Sequence, residues 1–162
     1  MEKNTKRMTD SYTVMTDLVF PNDMNHHHTI FGGKVMAYID RIAAISAMRH
    51  CHKDVVTAST DSVDFLGPVK EGEILVLNAF VSFTRRTSME VCVHVYSENP
   101  KSGERKLTTT AYLTFVAVDD EGRPTEVPVV IPETEEEKAI YCGGEARCRA
   151  RMARRQKFKE KV

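Results

Sequence analysis

Apolar positions along the first 118 residues fall into runs of two different periods. Residues 12–20, YTVMTDLVF, are dense in β-branched and aromatic side chains and predict a strand. The next stretch, PNDMNHHHTIFGG from Pro21 to Gly33, is punctuated by Pro, Asn, Asp and Gly and reads as a loop. From Lys34 to about His50 the apolar spacing becomes helical. Four strand-like runs follow, at 55–66 (VVTASTDSVDFL), 73–84 (EILVLNAFVSFT), 88–97 (SMEVCVHVYS) and 106–118 (KLTTTAYLTFVAV). The breaks between them are Gly67-Pro68, Arg85 to Thr87 and Glu98 to Gly103, the last two short enough for hairpins. Strand, helix, then four strands predicts an α+β fold with a largely antiparallel sheet and one main helix.

Residues 119–132, DDEGRPTEVPVVIP, hold three prolines and predict an extended crossing segment. Thr134 then caps a final helix, with Glu135, Glu136 and Glu137 in its first turn. Arg147, Arg149, Arg151, Arg154, Arg155, Lys157, Lys159 and Lys161 gather towards its end, a polarity that suits the helix macrodipole. Gly143-Gly144 is expected to break or kink it. The tail reads as a solvated, partly frayed helix, with anion binding and subunit contact as sharper alternatives.

Within the helix at 34–50, Met36 is set at 0° and each residue adds 100°. Ala43, Ala47, Ala44, Ile39 and Ile42 then spread over more than half of the circumference, and Lys34, Arg41 and Arg49 collect opposite. Such a helix is expected to be covered on most sides, as when a curved sheet wraps it. Asp40 falls among Met36, Ala43, Ala44 and Ala47, far from either cap and on the arc expected to be buried. A carboxylate there marks a site, or faces a subunit boundary and is satisfied by an ion pair.

Composition narrows the function classes. A chain of 162 residues is one ordinary domain, and 41% apolar with 28% charged residues is normal for a globular protein. The 23 basic and 23 acidic residues cancel, which argues against nucleic acid as a partner. No run approaches eighteen apolar residues, so no membrane insertion is expected, and the start MEKNTKRMTD lacks the apolar stretch of a secretory signal. Cys51, Cys92, Cys142 and Cys148 form no CxxC pair and read as reduced thiols of a cytoplasmic protein. A cysteine nucleophile served by His50, His52 or His94 is left open without support.

The loop before the helix holds further candidates. Gly32-Gly33 at a helix start exposes unpaired N–H groups to a carbonyl oxygen or an anion. His26, His27 and His28 stand at no known ligand spacing, so no metal is expected. Gly33 and Asp40 are seven residues apart, about 10 Å along a helix. If both serve one reacting carbonyl, the loop comes from a second protomer.

Together these residues resemble the hotdog-fold acyl-CoA thioesterases, in the branch of small bacterial acyl-CoA hydrolases and their two-domain animal relatives. The resemblance covers about residues 12–130. It is carried by Pro21-Asn22-Asp23-Met24-Asn25, Ile30-Phe31-Gly32-Gly33, Met36, Ile39-Asp40, Val56-Thr57-Ala58, Asp64-Phe65 with Pro68-Val69, Arg86-Thr87-Ser88-Met89 and Thr114 to Asp119. It implies a hotdog domain over 1–132, an antiparallel sheet around one long central helix, with 133–162 as a charged helical extension. It implies a homo-oligomer, a dimer at minimum and commonly a trimer of dimers (a hexamer), with active sites at the dimer boundary. The catalytic aspartate falls on Asp40 and its partner asparagine, from the opposite protomer, on Asn25. Two positions depart: many relatives have Gly where this chain has His28, and an aromatic where it has Lys34.

The implied reaction is hydrolysis of fatty acyl-CoA to fatty acid and coenzyme A, with no cofactor beyond the coenzyme of the substrate. Asp40 would act as general base or nucleophile, and Gly32 and Gly33 would hold the oxyanion or the pantetheine arm by their backbone. Arg85, Arg86, Thr87 and Ser88 offer two guanidinium groups and two hydroxyls to the phosphates of coenzyme A, their alternative being an exposed charged hairpin. The acyl chain is expected along Met36, Ala43 and Ala47. Two other readings stay open: a non-catalytic acyl-CoA binding or regulatory module, and a dehydratase using His28 near the helix start.

Overall fold

The computed structural model describes residues 4–161. Its elements in chain order are β1 (Thr5–Arg7), β2 (Thr13–Leu18), α1 (Gly32–Cys51), β3 (Asp54–Phe65), β4 (Ile74–Thr84), β5 (Ser88–Glu98), β6 (Arg105–Val118), β7 (Val129–Ile131) and α2 (Glu135–Lys159). Strands β2 to β6 form one antiparallel sheet in the order β2-β4-β5-β6-β3. The expected antiparallel sheet with a central helix is therefore present. A second, parallel ribbon of β1 and β7 was not expected, because three-residue strands carry no readable alternation. β7 ends the proline-rich segment, which otherwise crosses as expected.

Alternation along the central strands divides the sheet into two covered faces. Leu75, Leu77, Ala79 and Val81 of β4, Val91, Val93 and Val95 of β5, and Ala111, Leu113, Phe115 and Ala117 of β6 are buried in one core with Val35, Ile39, Ile42, Ala43 and Ala47 of α1. The buried stripe of α1 is narrower than its apolar arc. Met36 and Met48 are 43% and 40% exposed, so one side of the helix is open in the single chain. Ala43 and Ala47 are fully buried under the sheet and offer no surface to an acyl chain, contrary to expectation.

α2 crosses the opposite face. Thr134 caps it as expected, accepting from the Glu137 N–H at 3.1 Å, and the Glu137 carboxylate in turn accepts from the Thr134 N–H at 3.2 Å, which makes the cap reciprocal. Gly143-Gly144 does not break this helix. A Cβ on Gly144 would stand 2.4 Å from the Phe83 ring, so this glycine gives close approach to the sheet rather than a bend. The basic tail is not a frayed end either. Arg147 forms two hydrogen bonds with the buried Glu90, at 2.8 and 2.9 Å, over the face of Tyr112. Arg151 is buried and donates to Thr114 at 2.7 Å, and Arg154 pairs with Asp61 at 3.2 Å. Only the last turns project into solvent. No described helix is long and apolar enough to cross a membrane.

Candidate active site

The loop between β2 and α1 is folded around Asn25. Its Oδ1 accepts from the His27 N–H at 2.8 Å and the Thr29 N–H at 3.3 Å, and its Nδ2 donates to Thr29 Oγ1 at 3.0 Å. The second amide hydrogen of Nδ2 has no acceptor among the described residues and is available to a ligand. His28 has φ of 59°, the left-handed conformation that glycine adopts most easily. The departure from glycine at this position therefore keeps the backbone shape glycine would give. None of the three histidines bonds through its side chain to another described residue.

Gly32 and Gly33 lie within the first turn of α1 rather than before it, and Phe31 is the N-cap. Their N–H groups have no acceptor among the described residues. Asn25 and Gly32 line one cavity of about 360 Å³ with Phe65, Leu66 and Thr109.

Asp40 is not on the buried face. The core side of α1 runs through Val35, Ile39, Ile42 and Ser46, and Asp40 stands beside it, exposed among the open Met36, Ala37 and Val56. The spread of apolar residues misplaced the centre of the buried face, because Met36 and Ala37 beside Asp40 are apolar but uncovered, whereas Ala43 and Ala47 on its other side are buried. Thr57 of β3 donates from Oγ1 to Asp40 Oδ1 at 2.9 Å. A register irregularity between Thr57 and Ser59 interrupts the pairing with β6 next to this residue. Sequence reasoning missed Thr57 as a site residue, since a threonine in a strand is ordinary and only its reach to α1 distinguishes it.

A model of the Thioesterase superfamily matches residues 27–104. The chain is 52% identical over 132 residues to the uncharacterized acyl-CoA thioester hydrolase YkhA of Bacillus subtilis, an alignment covering 82% of this chain and 77% of that protein. The chain is a hotdog-fold acyl-CoA thioester hydrolase. The acyl-CoA hydrolase of Staphylococcus aureus, solved with butyryl coenzyme A, coenzyme A and coenzyme A disulfide, matches with TM-score 0.92 and 49% identity over 97% of this chain and 96% of that one. The same enzyme has been solved with an aspartate, an asparagine and a threonine each replaced by alanine. An apo hexameric acyl-CoA thioesterase matches with TM-score 0.90 and 53% identity, over 93% of this chain and 97% of that one.

In this thioesterase the arginine turn and Asn25 line separate cavities. Arg85 N–H donates to Ser88 O at 2.9 Å and closes the β4–β5 hairpin. Arg85 is turned towards α2, 3.4 Å from Glu145 and 4.0 Å from Cys148 Sγ. Arg86 is the freer of the two, 3.9 Å from Glu126 with both side chains 75% exposed. Both arginines line a cavity of about 770 Å³ with Lys53, Cys51 and Glu126. Thr87 and Ser88 are half-buried in the turn. Cys51 and Cys92 are poor nucleophiles. Burial pushes the Cys92 thiol up to about 12, and Cys51 is raised by the same cause.

Proposed function

We propose that this thioesterase hydrolyses fatty acyl-CoA at a site built from Asp40 of one protomer and Asn25, Gly32 and Gly33 of another. The observation that carries this is the exposed Asp40 carboxylate held at one oxygen by Thr57. With Oδ1 occupied by the threonine hydroxyl, Oδ2 is left for the reaction. In the S. aureus enzyme the replaced asparagine stands fifteen residues before the replaced aspartate, and the replaced threonine seventeen after it. Asn25, Asp40 and Thr57 have the same spacing, which supports the assignment.

The chemistry follows from these groups. Asp40 takes a proton from water, whose oxygen forms a bond to the thioester carbonyl carbon. The developing oxyanion is met by the free Nδ2 hydrogen of Asn25 and the unpaired N–H groups of Gly32 and Gly33, donors fixed before substrate arrives. Collapse breaks the carbon–sulfur bond, and the proton on Asp40 passes to the departing thiolate. In direct attack, the Asp40 carboxylate bonds to the carbonyl carbon, the carbon–sulfur bond breaks and the thiolate leaves; water then hydrolyses the anhydride, freeing Asp40 and the fatty acid and supplying the proton the thiolate takes, with the same donors at the oxyanion. Arg86, with Arg85, Thr87 and Ser88, is assigned to the phosphates of coenzyme A. No cofactor is required by this scheme.

Asp40 and the loop donors lie too far apart along α1 to meet one carbonyl within a chain. β3 is also an edge strand of twelve residues with Val56 half exposed, the kind of edge that a second copy covers. We therefore place the site in a dimer, assembled further as a trimer of dimers. Residues 133–162 are taken as an extension of the 1–132 domain, since α2 buries arginines against its sheet. The reduced, unpaired cysteines suit the cytoplasm.

Mixed oligomers test the shared site. Asp40→Ala and Asn25→Ala are each expected to keep only a small residual turnover. Unfolded and refolded together at equal amounts, they should regain about a quarter of wild-type turnover, because half the dimers carry one intact site. No regained turnover from a mixture shown to exchange subunits would contradict a shared site.

A further inference from the structure

A lysine stands where a cation is unfavourable. Lys34 is the third residue of α1, in the turn where the helix macrodipole favours anions, and no acidic residue lies in that turn. Lys34 Nζ lies 3.3 Å from Asp23 Oδ1, and the Asp23 side chain is only 13% exposed. The same ammonium sits 5.4 Å from the centre of the Tyr38 ring, and the Tyr38 hydroxyl donates to Asp17 on β2. A line of contacts therefore runs from the edge strand, through one face of α1, to the loop.

Asp23 is the residue through which the loop is tied. Its Oδ2 accepts from the Phe20 N–H at 3.0 Å, and its carbonyl accepts from the Phe31 N–H at 2.9 Å. Next to it, Met24 bridges Ile30, and the Asn25 N–H donates to Thr29 O at 2.8 Å. The backbone turns between these pairs, with Asn25 at the start of the turn. Hydrogen bonding to Phe20, followed by Lys34, holds the Asp23 carboxyl below the usual carboxylate range, and Asp23 raises the Lys34 ammonium.

We propose that Lys34 and Asp23 form a clasp that positions the Asn25 loop for the reaction, Lys34 being a positioning residue that does not meet the substrate. The proposal rests on the reading of Asn25 as the carbonyl donor. An ion pair at the loop base restricts where the Nδ2 hydrogen points, so its loss affects turnover at saturation rather than binding of the coenzyme.

The experiment measures kcat, KM and thermal unfolding for wild type, Lys34→Met, Lys34→Arg, Asp23→Asn, Asn25→Ala and the Lys34→Met/Asn25→Ala double variant on a saturated acyl-CoA. Lys34→Met keeps the alkyl stem over Tyr38 and removes the charge. Asp23→Asn keeps the acceptor for Phe20 and reads the clasp independently. The expected result is a ~3- to 10-fold fall in kcat for Lys34→Met and Asp23→Asn with KM within about twofold, recovery by Lys34→Arg, and no further loss from Lys34→Met once Asn25 is gone. A raised KM at unchanged kcat would mean that Lys34 touches the coenzyme and would overturn the proposal. So would an equal loss from Lys34→Met with and without Asn25, the behaviour of a merely structural residue. Wild-type kcat in Lys34→Met and Asp23→Asn, with Asn25→Ala impaired, defeats the clasp alone. Wild-type kcat in Asn25→Ala defeats the Asn25 reading and the clasp with it.

Discussion

Asp40 is exposed and fixed in direction by one hydroxyl, the arrangement that the proposed general base requires. The Thr57 hydroxyl donates to Oδ1 at 2.9 Å and fixes the direction of the carboxyl group. Thr57→Val keeps the shape of the side chain and removes the donor. Its kcat is expected to fall about 10- to 100-fold with little change in thermal midpoint. Steady-state kinetics beside a melting curve checks this, and an unchanged kcat would remove Thr57 from the site. Asp40 itself was legible as an unexplained carboxylate in an apolar helix, but its exposure was not. Helical periodicity locates an apolar arc, and in an oligomer part of that arc waits for another chain. Thr57 was not legible as a site residue, because its role arises from a contact across seventeen residues.

At the scale of elements, α2 acts as a strap over four strands of the sheet. From its N-terminal side it meets Phe83 of β4 through Gly144, Glu90 of β5 through Arg147, Thr114 of β6 through Arg151 and Asp61 of β3 through Arg154. The last three lie four and then three residues apart, on one face of a helix. The sequence pointed to the cap and to the charge polarity of this helix but not to its burial. Arginines every three or four residues look the same whether they face water or buried acids. Gly144→Ala tests the strap, since its Cβ would meet the Phe83 ring at 2.4 Å. Overpacking of this kind costs about 1–3 kcal/mol, so the thermal midpoint is expected to drop by several degrees. A midpoint equal to wild type or higher would mean that Phe83 moves aside and that the contact is loose.

At the scale of the whole molecule, stability should depend on pH through histidines that the reaction does not use. His50 is fully buried at the end of α1, with Nε2 on the Pro128 carbonyl at 2.8 Å and no partner for Nδ1. Desolvation lowers its pKa below the ordinary 6.5, and desolvation lowers His94 as well. Above pH 6.5 both are neutral in the folded and unfolded chain and have no effect. As pH falls through 6.5, the unfolded chain takes up protons that the folded chain refuses, so stability declines. The thermal midpoint is expected to fall from pH 7.5 to 5.5, and His50→Asn should flatten that slope. A midpoint that rises on acidification would contradict the buried neutral state. The antiparallel sheet, the main helix and their order were legible because each strand carries its own alternation. The β1–β7 ribbon was not, because its pairing depends on residues more than a hundred positions apart.

The proposed role of Asp40 is to drive hydrolysis of acyl-CoA. Its most direct test is free-thiol release from acyl-CoA esters of increasing chain length, with wild type and Asp40→Asn measured side by side and folding checked for both. Wild type is expected to turn over, with a loss of about two orders of magnitude or more in a folded Asp40→Asn, across every chain length that wild type accepts. Asp40→Asn turning over at the wild-type rate would contradict the role given to Asp40. No turnover by wild type, with acyl-CoA still bound, would contradict the proposed hydrolysis and leave a binding module on the same fold.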